Sequence, residues 1–348
     1  MFKGFCLILC TLVEVRYAFI LVSKLGNQQQ ACPSFLTPQH SMMKKGYSSS
    51  GLTRVFQAEY ELQDCLELQL CSWLEVEDYV HNRRQRGEAV PIVVPVGSTE
   101  QHGPTGLIGT DAMTAQAAGR GLAAATGAML GPTISIGMAM HHTGFPGTIS
   151  LRPSTFVNVI KDHVWSLQQS NFTHIFFVNG HGGNIMPIFK AFKDLGEELG
   201  EDCPQLRVAS WYMGNETSQM VRSLYGDKLG MHATPDEVAI TQHLYPGYRK
   251  DAELRDDALQ QNKAIGGNIT RVLEEESGLR YMEPKDFRRR FPDGRMGSYP
   301  QLASPERGAE ILKTSIMDLV STFYSFTNTK PSAIAEPTAA AAQTTSPQ

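Results

Sequence analysis

The sequence predicts an α/β fold: three layers, with helices on both faces of a mostly parallel central sheet. Two observations carry this. Apolar runs of strand length alternate along the chain with segments of helical period, the pattern left by strands joined through crossover helices. The clearest run, residues 90–96, is apolar at every position rather than at every second one. That is the mark of a strand buried on both faces.

The elements follow in order. Residues 73–83 read as a short helix, and 90–96 as the first strand. Residues 111–125 are Ala-rich and helical, and 129–136 form the next strand. Ser154 is placed to cap a helix whose Phe156, Ile160, Val164 and Leu167 recur at helical spacing. Residues 174–178 are a short apolar strand, followed by a Gly-rich turn and a helix over about 185–199. Residues 206–212 give one more strand, and 235–244 and 305–324 are helices.

Composition bounds the function. A chain of 348 residues holds one large domain with tails or two small domains. A net charge of -4 leaves no broad basic surface and argues against nucleic acid as a partner. Cys6, Cys10, Cys32, Cys65, Cys71 and Cys203 never reach C-x-x-C spacing, which excludes a zinc ribbon and favours a reducing compartment. Residues 1–58 read as an extension, rich in Lys, Arg and Ser and with little acid. It is either targeting sequence, a plastid transit peptide being the case considered, or sequence upstream of the true start near Met42 and Met43. Glu14 and Arg16 break its apolar stretch, so no membrane span is expected. Residues 329–348 are mainly Ala, Thr, Pro and Ser and are expected to be disordered. The folded domain is therefore placed at 59–328, in the cytoplasm unless the extension is a transit peptide.

Two strands run into unusual loops. The first enters Gly97-Ser98-Thr99-Glu100-Gln101-His102-Gly103-Pro104, the second Asn179-Gly180-His181-Gly182-Gly183-Asn184. Sites in open α/β sheets form outside the carboxyl ends of the strands, so both loops should meet at one edge. Glu100 and His102 stand two apart and, in extended chain, point the same way. Asp111 follows after a short loop, and His181 arrives from the second strand. Mixed carboxylate and imidazole suit zinc, manganese or iron rather than calcium or magnesium. Asp111 is suited to bridge two ions about 3.5–4 Å apart. Gly180, Gly182 and Gly183 let the backbone turn sharply beside a ligand, and Asn184 is placed to order the next helix start. His232 precedes a helix that holds Glu237 in its first turn, while His141, His142 and Phe145 lie in a loop that can line a substrate pocket.

Each residue has a plainer reading. Asp111 alone serves equally as an N-cap. Thr234-Pro235-Asp236-Glu237 fits a capping box, and for Glu237 alone that reading is the better one. His181 can merely satisfy a backbone carbonyl, and its turn can bind a phosphate at the helix N-terminus. That turn lacks a P-loop lysine and a G-x-G-x-x-G pattern. Without a G-x-S-x-G elbow Ser98 is a weak nucleophile, Cys203 shows no sign of activation, and His163 and His174 read as structural. Taken together, a carboxylate, two histidines and an aspartate in two Gly-rich strand-end loops point to a metal site.

The motifs in order resemble the creatininase family of metal-dependent amidohydrolases. Pro95–Pro104, Gly109-Thr110-Asp111, Phe145-Pro146-Gly147-Thr148-Ile149-Ser150-Leu151, Val178–Asn184 and His232-Ala233 with Glu237 match its signatures. Met296-Gly297 and Ser304-Pro305-Glu306-Arg307-Gly308 resemble its closing segment. The resemblance implies two divalent ions (Zn, Mn or Fe). Glu100, Asp111 and His181 would hold one; His102 and Asp111, completed by Glu237 or water, the other. It implies His232 as the catalytic polar residue, a small-molecule amide as substrate and a homo-oligomer, often a hexamer. One departure is plain: creatinine-hydrolysing members carry a metal-binding glutamate where this chain has Gly183. The Gly-Gly form resembles members acting on formamides of flavin or deazaflavin pathways, or on modified peptides. The expected reaction is hydrolysis of a cyclic or formyl amide by activated water. A phosphoesterase, a non-catalytic binding module and a nucleotide binder are the rivals.

Overall fold

The computed structural model describes residues 65–252, 254 and 282–328. The expectations for residues 1–58 and 329–348 lie outside the described residues. Four parallel strands form one sheet: β1 (Pro91–Val96), β2 (Met129–Leu130), β3 (His174–Asn179) and β4 (Gln205–Ser210), in the order β2-β1-β3-β4. The helices are α1 (Trp73–Gln85), α2 (Thr110–Thr126), α3 (Pro153–Gln169), α4 (Ile185–Leu199), α5 (Asn215–Tyr225), α6 (Pro235–Leu244), α7 (Pro284–Arg290) and α8 (Pro305–Thr327).

Strand alternation sorts them into layers. Val93, Phe176 and Val178 point into a core shared with α2, α5, α6 and α8. Ile92, Val94, Ile175 and Phe177 point the other way, into a core shared with α1, α3 and α4. Every residue of β1 is buried, which is why its sequence is apolar throughout. The expected three-layer α/β/α architecture is the one observed.

Proline looks out of place in a central strand, because it has no N–H to give the ladder. In β1 the carbonyls of Val93 and Pro95 accept from Gly131 and Ile134, on the β2 side. The carbonyls of Val90 and Val96 accept from His174 and Gly180, on the β3 side. Pro91 and Pro95 therefore aim their missing donors at β2, which pairs with β1 only at Ile92 and Val93. The same geometry corrects the expected strand over 129–136. It ends at Leu130, since Gly131 and Pro132 break the ladder, and only an isolated bridge joins Ile134 to Val96.

Three more expectations change. Arg152, not Ser154, caps α3, with Pro153 at the first helical position, where a missing N–H costs nothing. The strand expected at 206–212 stops at Ser210, and Trp211–Met213 turns as a short 3-10 segment. Helices α5 and α7 were not legible. The first carries a largely polar segment, and the second is a seven-residue piece that buries only Phe287. Among the described residues no helix is long and apolar enough to cross a membrane.

Register fixes the working edge. Val96 lies opposite Asn179, and Asn179 opposite Ser210, so β1, β3 and β4 end level. Their following loops start side by side.

Candidate metal centre

The loops after β1 and β3 converge on the first turn of α2. Gly180 makes this approach feasible: a Cβ there would lie 2.2 Å from the Asp111 carbonyl oxygen. None of Gly180, Gly182 and Gly183 has a positive φ. Close backbone approach, not a sharp turn, is what Gly180 supplies. Gly109 takes the N-cap position of α2, which leaves Asp111 in the first helical turn with its carboxylate free to face the loops.

Asp111 is the centre of the cluster. Its Oδ1 lies 3.0 Å from His102 Nε2 and its Oδ2 lies 3.1 Å from His181 Nδ1. Glu100 Oε2 lies 3.3 Å from His181 Nε2 and accepts a 2.7 Å hydrogen bond from Ser98 Oγ. Glu237 Oε1 stands 3.8 Å from His102 Nε2 while accepting from the Thr234 N–H at 2.6 Å. Cap and ligand position are thus compatible in one side chain. Ligand atoms of Glu100, Asp111 and His181 lie within 4.8 Å of one another, and so do those of His102, His232 and Glu237. Glu100 is fully buried, and His102, Asp111 and His181 are 1%, 3% and 8% exposed.

This donor set fits divalent cations. Glu100 Oε1 accepts no hydrogen bond, and Asp111 Oδ2 faces only the His181 ring; buried carboxylates so sparsely partnered are the kind a divalent cation would bind. His102 Nδ1 donates to the Glu100 carbonyl at 3.0 Å, leaving Nε2 to face Asp111 and Glu237. A ligating histidine tied through its other nitrogen to a backbone carbonyl is the usual outer arrangement of a metal site. His181 is held by its loop: Asn179 Oδ1 accepts from its N–H at 3.2 Å, and Asn179 Nδ2 donates to its carbonyl at 2.8 Å.

Without cations the charges are heavily perturbed. Burial pushes Glu100 up to about 7 and Glu237 up to about 8. Burial alone would lower the imidazoles. Asp111 and Glu237 instead lift His102 to about 10, and Glu100 and Asp111 lift His181 to about 9. Asp111 is held below the usual carboxylate range despite its burial, chiefly by His102. Burial, with His102 nearby, pushes His232 well down, so it stays neutral.

The sequence motif assigns Gln101 no role. It organises the wall of the site. Its Oε1 accepts from the Gly103 N–H at 2.9 Å, and its Nε2 donates to the Gly294 carbonyl at 3.1 Å. His232 Nε2 donates to the Gln101 carbonyl at 2.7 Å, so the second amide hydrogen of Gln101 goes to His142 Nδ1, 2.8 Å away. Two tautomers follow. His232 presents an unprotonated Nδ1, 3.7 Å from Glu100 Oε1. With Nδ1 accepting from Gln101, His142 carries its proton at Nε2, 3.4 Å from the same oxygen; ligand atoms of Glu100, His142 and His232 also lie within 4.8 Å of one another, a third donor group. His142 had been read only as pocket lining. Its ring stacks on His232 with centroids 4.3 Å apart and meets the edge of Phe287.

Asn184 differs from its expected role. Its side chain does not cap α4; Nδ2 donates to the Gly97 carbonyl at 2.9 Å, and Oδ1 accepts from the Met138 N–H at 3.1 Å. It ties three loops together. Burial pushes the Cys203 thiol up, the opposite of activation. His163 hydrogen-bonds the Val159 carbonyl and His174 the Thr173 hydroxyl, both away from the site.

A parallel α/β/α sheet whose strand-end loops gather buried carboxylates and imidazoles defines a class of metal-site hydrolase folds. Within that class the chain belongs to the creatininase family, whose profile, described as creatinine amidohydrolase, matches residues 69–323. A mycofactocin precursor peptide peptidase of Mycolicibacterium smegmatis is 33% identical over 174 residues, 47% of this chain and 66% of that protein. A creatinine amidohydrolase of Pseudomonas putida is 26% identical over 180 residues, 50% of this chain and 61% of that protein. The chain thus spans less than two thirds of the length of these relatives. Among solved structures, a manganese creatininase superposes with a TM-score of 0.59 at 21% identity, covering 76% of this chain and 99% of that one. This likeness establishes the fold.

Proposed function

We propose that the protein is a two-metal amidohydrolase that cleaves the C–N bond of an amide with activated water. The observation that carries the reading is the buried cluster in which Glu100 and Asp111 crowd against the nitrogens of His102, His142, His181 and His232, with almost no water-accessible surface to spread the charge. Glu100, Asp111 and His181 would hold one ion; His102 and Asp111, completed by Glu237 or water, would hold the other. Zinc, manganese and iron suit these donors, and manganese is named for the fold neighbour. Bound divalent ions supply Lewis acidity and an acidified water.

The chain's own residues do the rest. His232, neutral and open at Nδ1, accepts a proton there and returns it to the leaving nitrogen. The Gln101 carbonyl holds its ring in that tautomer. His142 offers its Nε2–H into the same space and orients an oxygen of the substrate. Ser98 hydrogen-bonds Glu100 and fixes its rotamer; it is buried and is no nucleophile.

Creatinine is a poor fit. A Cβ on Gly183 would lie 2.3 Å from His181 Nε2 and 2.4 Å from the Met138 carbonyl. No side chain enters the centre from that position. A formamide or a modified peptide suits the open site better, and the relative named as a precursor peptide peptidase supports that direction. The reading also includes a homo-oligomer in a reducing cytoplasm. Exposed Leu70, Trp73 and Leu74 at the start of α1 form apolar surface of the kind subunits cover.

The test is metal analysis of the purified protein together with a deamidation and deformylation panel. The expected result is two bound transition ions and C–N cleavage. Asp111→Ala should lose metal and at least about 10³-fold in rate, since the ions contribute several kcal/mol. A protein that binds no transition metal, or cleaves phosphate esters instead of amides, sinks the reading.

A further inference from the structure

The metal centre is the floor of a cavity of about 480 Å³ that runs out toward α5. A cavity of that size holds a ligand well beyond a single small ring. A substrate that fills it reaches past its scissile amide. What it meets is a wall of different chemistry. Ser218, Val221 and Arg222 line the cavity, and their i, i+3, i+4 spacing puts them on one face of α5. Leu229, Met231 and Met296 add apolar surface beside them.

Arg222 stands out on this wall. The other ionisable groups lining the cavity are carboxylates, histidines and Tyr212; Arg222 is the one Lys or Arg among the described lining residues. It is exposed, and among the described residues it forms no ion pair or hydrogen bond through its side chain. Structural arginines of this protein behave otherwise. Arg295 is locked on Asp293, and Arg120 is paired with Glu67. A guanidinium whose donors no described residue takes matches the planar, two-oxygen geometry of a carboxylate.

We propose that Arg222 binds a carboxylate on the substrate, so that the natural substrate is an amide carrying a carboxylate at its far end. This rests on the amidohydrolase reading for the scissile bond, but the recognition step is separable from it. Arg222 is a specificity residue at the wall and takes no part in bond cleavage.

The experiment uses the metal-loaded full chain as wild type, Arg222→Ala and Arg222→Lys. Its probes are N-formyl-phenylalanine and N-acetyl-alanyl-phenylalanine, each as the free acid and as the C-terminal carboxamide. Hydrolysis and calorimetric binding are both read. Wild type should favour the free acids by about 10- to 100-fold, the range of a hydrogen-bonded charge pair, and through KM rather than kcat. Arg222→Ala should bring that ratio close to one, and Arg222→Lys should retain part of it. Equal treatment of acid and carboxamide by wild type overturns the proposal. So does a preference that survives in Arg222→Ala, the result if the carboxylate sits on the metal ions. Probes that neither bind nor react overturn it as well. If binding follows Arg222 but no amide is cut, the hydrolase reading fails and Arg222 stands; cleavage without preference gives the reverse.

Discussion

The floor and the wall of the cavity are built on opposite principles. Glu100, His102 and Asp111 on the floor are almost fully buried. They are held by strand ends, a helix N-terminus and a net of hydrogen bonds. On the wall, Met213 is 64% exposed and Arg222 has no side-chain partner among the described residues. The floor has its geometry fixed before anything binds, at the cost of several desolvated charges. The wall spends little on order and is free to change between relatives. Chemistry belongs to the first and choice of substrate to the second. Changes to the floor should therefore remove activity on every substrate, and changes to the wall should redistribute it.

His232→Ala tests the floor most sharply. It should lower kcat by about 10²- to 10⁴-fold, the range for a general base, with metal content unchanged. Metal analysis decides the point: loss of one ion in this variant would move His232 from proton carrier to ligand.

Gly183→Glu comes next. The creatinine-type glutamate should not create a ligand here, because its Cβ overlaps His181 and the Met138 carbonyl. The expected result is overpacking, about 1–3 kcal/mol of lost stability, with metal affinity down about 10- to 100-fold from the displaced His181. A rise in creatinine hydrolysis without a fall in thermal midpoint would show that the loop can yield.

The smallest effect is graded and set by pH. In metal-free protein, Glu100 and Glu237 sit at about 7 and about 8, and His102 and His181 at about 10 and about 9. All four lie above their ordinary values, so the folded state binds more protons than the unfolded chain. Their contribution to stability is present at low pH. It falls as pH rises from about 4.5, where unfolded glutamate titrates, to about 10. Cations replace those protons. The gain in thermal midpoint on adding zinc or manganese should therefore grow between pH 6 and pH 9, with proton release seen by calorimetry. A gain that shrinks over this range would contradict the assigned floor.

Much of the floor was readable in one dimension. Glu100, His102, Asp111 and His181 fall in short motifs at strand ends, and the rule that such ends share an edge brings them together. The layer order was readable too, because burial on both faces writes an unbroken apolar run into β1. What the sequence leaves open is local: the end of β2 at Leu130, the cap of α3, and the purpose of Gly180. In the first two a proline without an N–H decides the outcome, and in the third a missing Cβ faces a backbone that spacing does not reveal.

The sequence by itself determined the sheet and the metal-ligating residue types, since both depend on short-range pattern. Only the tertiary structure decided their protonation states and surroundings. Gln101 sets the tautomer of His142 and holds His232 through its own backbone carbonyl, and its side chain is anchored on the Gly294 carbonyl, 193 residues away. His142 turned from pocket lining into a directed donor because of that same amide. Arg222, on a helix too polar to announce itself, became the facing wall only when α5 packed against α8. A hydrogen bond has direction, and a cavity has two sides. Neither can be read until distant segments meet.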